Sequence, residues 1–162
     1  MRSCRWVVAA AALVSWLGSS APAAADITGF LGLSPTAGTR PAVGVAVGAG
    51  FVIVGFELEY SDISERAKAK APGLRTGMGN GLLQTPIPIA RMQFYATVGG
   101  GVYREELGTD SEVNVGVNVG GGVKLRLAGP VRLRLDYRLF RLQGSPVNDR
   151  YHRVYLGGNL AF

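Results

Sequence analysis

The chain has 162 residues, 48% of them apolar, and carries 17 Lys and Arg against 11 Asp and Glu, a formal net charge of +6. That is length for one domain. No run of five or more basic residues occurs, so no nucleic-acid partner is expected, and no stretch reaches the roughly eighteen apolar residues that a helical span needs.

Met1, Arg2, Ser3, Cys4 and Arg5 make a short basic start, residues 6–17 are a twelve-residue apolar run, and Ala23, Ala24 and Ala25 precede Asp26. This order predicts a secretory signal peptide over residues 1–25, cleaved after Ala25. Cys4, the single cysteine, precedes the apolar run, which argues against a lipoprotein, and it leaves with the signal. Residues 26–162 then form the one folded domain: 137 residues, no cysteine, and 15 basic against 11 acidic side chains, net +4. A disulfide or thiolate metal site is therefore impossible there, and no cofactor is expected.

Within this domain the apolar residues recur at every second position, the period of a strand with two unlike faces. The pattern predicts strand one over residues 26–35, with Ile27, Leu31 and Leu33 on one parity. A loop at 35–41 follows, rich in Pro and Gly. Strand two alternates Val43, Val45 and Val47 with Gly44, Ala46 and Gly48, and a tight turn is expected near 48–51. Strand three sets Val54, Phe56, Leu58 and Tyr60 against Gly55, Glu57 and Glu59, and residues 61–73 read as a long charged loop. Strand four, 74–84, is the least patterned, and Pro86 and Pro88 force a turn because proline cannot donate to a ladder. Strand five is expected over 92–104, with a third polar loop over 105–111. Strand six runs from Val113 to Leu127, with Asn114, Asn118, Lys124 and Arg126 on its polar face. After a turn at 128–130, strand seven alternates Val131, Leu133, Leu135, Tyr137 and Leu139 with Arg132, Arg134, Asp136 and Arg138. A fourth loop, 142–150, leads to the last strand, where Val154, Leu156, Leu160 and Phe162 oppose Tyr151, Arg153, Tyr155 and Asn159.

Eight strands result, with polar loops after the odd ones and short turns after the even ones. That asymmetry, with strands of about ten residues, is expected of an all-β, eight-stranded antiparallel up-and-down transmembrane barrel. A soluble lipocalin-like barrel would put the charged faces of strands three and seven in water and leave the final Phe162 unexplained. In a membrane barrel the aliphatics face lipid, where an Arg at mid-depth costs roughly 2–4 kcal/mol, so the charges turn inward and neutralise one another.

The chain resembles the small outer-membrane β-barrel family of OmpA and OmpX type. The resemblance rests on the eight alternating strands, on Val119-Gly120-Gly121-Gly122-Val123 leading through a short turn into Leu133-Arg134-Leu135-Asp136-Tyr137-Arg138, and on the terminal Phe162. It covers residues 26–162 and implies an outer-membrane location in a Gram-negative-type cell. It also implies lipid as the surrounding partner, and insertion by the barrel-assembly machinery through a closing strand carrying Val154, Leu156, Leu160 and Phe162. With no tail after Phe162, no carboxy-terminal peptidoglycan-binding domain is expected, and the chain is expected to be a monomer with a structural or surface-interaction role. A narrow solute pore, with anions preferred, is the alternative, followed by a lipid-modifying enzyme.

The candidate residues are few. Glu57, Glu59, Arg132, Arg134, Asp136 and Arg138 are expected to form an ion-pair network in the lumen; read instead as catalytic carboxylates they would lie among too many arginines. Lys124, Arg126 and Arg132 are expected at the turn-end rim, in water. Tyr60, Tyr103, Tyr137 and Tyr151 read as interface anchors. His152, the only histidine, lacks the neighbouring serine that barrel lipid hydrolases use, and no catalytic residue is expected. Gly99–Gly101 and Gly120–Gly122 lack the Lys-Ser/Thr of a phosphate loop and are expected where strands bend or large inward side chains need room.

Overall fold

A computed structural model describes residues 24–36, 38–66 and 71–162. It is a closed antiparallel barrel of eight strands in sequence order: β1 (Ala24–Ser34), β2 (Arg40–Phe51), β3 (Val54–Ile63), β4 (Gly73–Gln84), β5 (Met92–Leu107), β6 (Asp110–Ala128), β7 (Val131–Leu142) and β8 (Arg150–Ala161). The fold class expected from the alternation is the one observed. No helix among the described residues is long and apolar enough to cross a membrane.

Closure is made by β1 against β8, with Leu33 opposite Val154, Leu31 opposite Leu156 and Ile27 opposite Leu160. Ala25 and Phe162 add a reciprocal pair of backbone hydrogen bonds of 2.9 Å. Most of the predicted signal segment lies outside the described residues. Cleavage after Ala25 would trim the first two residues of β1, since the strand starts at Ala24.

The connections differ from expectation in three places. The turn expected near 48–51 falls at Val52 and Ile53, because β2 stays paired through Phe51. Residues 105–111 read as a polar loop, yet β5 and β6 stay paired to Leu107 opposite Asp110 and turn over two residues, with Gly108 at φ 63°. Charged residues suit a strand that projects past the apolar zone, so polarity alone did not mark a break. After β4 the chain reverses beyond the prolines and not over them: Ile89 pairs with Met92 around Ala90 and Arg91, both at positive φ.

Side-chain direction follows parity on every strand. The outward set of β7 is Val131, Leu133, Leu135, Tyr137 and Leu139, and that of β8 includes Val154, Leu156 and Leu160. Outward aromatics mark both ends: Phe51, Phe94 and Phe162 toward the turns, Tyr60 and Tyr137 toward the loops. Tyr103 and Tyr151, expected as anchors like these two, point inward instead and are fully buried. Parity decides it, because odd positions of β5 and β8 face the lumen.

Two-residue hairpins with both φ values positive favour Asn or Gly, whereas alanine in that region is strained. Ala90→Asn is therefore expected to stabilise the barrel by about 0.5–1 kcal/mol, read as a higher urea midpoint at unchanged slope.

Candidate functional site

The lumen holds whatever chemistry this fold carries, because every inward position of the sheet points into it. It is layered from the turn end to the loop end.

In the middle, three guanidinium groups meet three carboxylates. Arg134 forks onto Glu57 and reaches Asp136 Oδ2 at 3.1 Å. Arg138 touches all three acids: Glu57 Oε1 at 2.8 Å, Glu59 Oε2 at 3.1 Å and Asp136 Oδ1 at 3.1 Å. Arg153 pairs with Glu59 and donates to Ser61 Oγ at 2.6 Å, which in turn bonds Thr76 Oγ1 at 2.7 Å. The Tyr95 hydroxyl accepts from Arg134 Nε at 2.6 Å and donates to Asp136. All six charged side chains are buried, Arg134, Arg138 and Arg153 at 0% exposure. Aromatic rings complete the packing: Phe30 and Tyr155 stack at 4.1 Å, and Arg153 lies 4.8–5.2 Å from the rings of Phe140, Phe30 and Tyr155. Such contacts help a desolvated cation keep its charge.

Of the six residues expected in the network, the structure brings together Glu57, Glu59, Arg134, Asp136 and Arg138. Arg132 stands apart. One inward step along β7 is roughly 6.6 Å, which places it a layer nearer the turns, where it donates to Gln93 Oε1 at 3.4 Å and makes no ion pair among the described residues. Arg153 takes the third place because β8 pairs with β7 so that Arg153 stands opposite Arg138. That register is non-local, although the inward parity of Arg153 was visible in the sequence. Lys124, expected in water at the rim, is buried instead, bonded to Asp26 across the barrel.

Toward the loops the lumen is closed by an apolar cluster of Ala42, Ile63, Leu74, Met78, Tyr103, Phe140, Leu142 and Tyr151. Arg40 sits over the Tyr151 ring, fully buried, and donates to the carbonyls of Thr36, Ser64 and Pro72, tying two loops to the barrel mouth. Glu105 accepts from the Tyr151 hydroxyl and the Val147 amide, both at 2.7 Å, and holds the fourth loop. Inward glycines make room for this filling: a side chain at Gly122 would run into the Tyr95 ring, and one at Gly99 into Asn80.

His152 faces outward near the loops, with Tyr137 Oη 2.7 Å from its Nδ1. Among the described residues no serine or carboxylate bonds its ring, and no group of three metal-ligating side chains occurs.

No protein-family model and no curated protein sequence matches the chain. Solved structures do. Neisserial surface protein A superimposes with a TM-score of 0.69 at 14% identity, covering 86% of this chain and 97% of that one. The N-terminal β-barrel domain of Pseudomonas aeruginosa OprF gives 0.66 at 14% identity, with 86% and 97% covered. The outer membrane enzyme PagL gives 0.55 at 11% identity, with 83% and 98% covered. The chain thus has the fold of the small eight-stranded outer-membrane barrels.

Truncating one member of a buried ion cluster leaves its partners uncompensated and costs on the order of 3–5 kcal/mol. Glu57→Ala, which strands Arg134 and Arg138, is therefore expected to lower thermal stability more than Leu58→Ala, its outward neighbour. Equal unfolding of the two variants would count against the network as a structural element.

Proposed function

We propose that the protein is a small integral outer-membrane barrel with a structural or surface-interaction role, exported through its amino-terminal signal and present as a monomer. The observation that carries this reading is the outer face. Between the turns and the charged loop ends, the described outward positions hold aliphatics, aromatics, alanines and glycines and no Asp, Glu, Lys or Arg, with His152, opposite Leu139, at the loop-side edge. On β7 this stretch is Val131 to Leu139; nine residues tilted by about 40° rise on the order of 20 Å along the axis. That is close to the roughly 25 Å apolar band of known membrane barrels. Charges reappear outside only toward the loops, where Arg75 pairs with Asp62 at 3.0 Å and Arg104 with Glu106 at 2.7 Å, at the level suited to lipid headgroups. A soluble barrel with this outside would expose a large continuous apolar surface to water.

The packed middle layer and the apolar closure favour this role over a solute pore, because eight strands leave no bore once the interior is filled. The reading is also non-catalytic: the pairing of His152 with a tyrosine does not supply the base, nucleophile and orienting acid of a hydrolase. PagL shares the fold, so the argument rests on these side chains and not on the architecture. The closing strand, with Val154, Leu156, Leu160 and Phe162 facing out, is the segment through which the insertion machinery would engage the chain.

Electrophoresis of the membrane fraction, boiled against unboiled, checks the assignment, with a heat-dependent mobility shift expected. A soluble protein without a shift would contradict it. Leu135→Arg, at mid-band, is expected to cost insertion about 2–4 kcal/mol, seen as loss of the unboiled form.

A further inference from the structure

The charges of this barrel are matched everywhere but at one end. In the middle, three arginines meet three carboxylates. Toward the loops, six described arginines stand against seven carboxylates. At the turn end Arg91, Lys124, Arg126 and Arg132 face one carboxylate side chain, Asp26, and Lys124 holds it.

The excess is concentrated. Arg126 on β6 and Arg132 on β7 are directly opposite each other, both inward by parity. Like charges in that position destabilise a sheet, and neither has an acidic partner among the described residues. The pair lines a cavity of about 370 Å³ that opens at the turn end, together with Gln84, Gln93, Lys124 and Asp26. That volume lies within the range of small-ligand sites. Glu57 lies on its inner wall, but its charge is taken by Arg134 and Arg138. Beyond that wall the lumen is packed, so an entering ion has nowhere further to go.

We propose that this vestibule is a binding site for a small water-borne oxyanion (phosphate, sulfate or the carboxylate of a small solute) clasped between Arg126 and Arg132. Two guanidinium forks across one ladder suit the paired oxygens of such a group, and an anion between them turns a repulsion into two charged hydrogen bonds. Being closed at its inner wall, the site retains its ligand rather than passing it.

The test is a titration of inorganic phosphate into the full chain, purified from membranes in maltoside detergent. Shifts of the arginine Nε–Hε resonances are followed by NMR. Saturable shifts confined to Arg126 and Arg132 are expected, with the midpoint raised at least about tenfold in R132Q and unchanged in R104Q, a loop-end control. R132Q removes no ion pair and should keep the heat-dependent mobility; should it fail to fold, R126Q serves in its place. The absence of a saturable response, a response equal in R132Q and wild type, or a response to phosphatidylglycerol but not to inorganic phosphate would each overturn the proposal.

Discussion

Three arginines and three carboxylates occupy the middle of a lumen that eight strands make just wide enough for side chains. Deprived of water, each would be prohibitively expensive alone, and each is tolerable because the others neutralise it. The rest of the architecture depends on that confinement. Once Glu57, Glu59, Arg134, Asp136, Arg138 and Arg153 point in, strand parity sends Phe56, Leu58, Leu135, Tyr137, Val154 and Leu156 out. One register slip would move every charge to the other face. The arrangement therefore specifies pairing as much as it stabilises it.

The two ends of the barrel are built from different physics. Toward the loops the lumen is closed by apolar contact and by Arg40, whose donors go to backbone carbonyls and so pin the loops it reaches. Toward the turns no comparable apolar cluster closes the lumen among the described residues, and Lys124, Arg126, Arg132 and Gln93 line an open cavity together with Leu82 and Pro86. A barrel sealed at one end and cationic at the other presents distinct surfaces at its two ends, while its middle serves stability. Closure of β1 on β8 leaves the sheet without an edge, which is what the proposed surroundings of hydrocarbon would require.

Parity carried most of the fold into view. On β7, strict alternation from Val131 to Leu139 announced both the strand and its two faces, and β8 did the same through Phe162. Interactions between strands were less legible. Arg132 looked equivalent to Arg134 and Arg138, but a layer offset placed it against Arg126, while Arg153 entered the cluster through the register of β8 on β7. Asp26 and Lys124 are 98 residues apart in sequence and meet only because the barrel closes. The β5–β6 hairpin was hidden for another reason: beyond the apolar zone the alternation is carried by charged side chains, Arg104 out and Glu105 in, so the stretch resembled a loop.

The central claim is that the aliphatic face meets lipid and the charged face meets itself. Residues 26–162 contain no tryptophan, since both Trp residues lie in the first 25 positions, so single tryptophans placed in that domain report depth without background. Leu135→Trp, facing out at mid-band, and Phe140→Trp, facing in, would be compared in bilayers of lipids brominated on their acyl chains. The account predicts strong quenching at position 135 and little at 140. Quenching at 140 with none at 135 would turn the barrel inside out and contradict it.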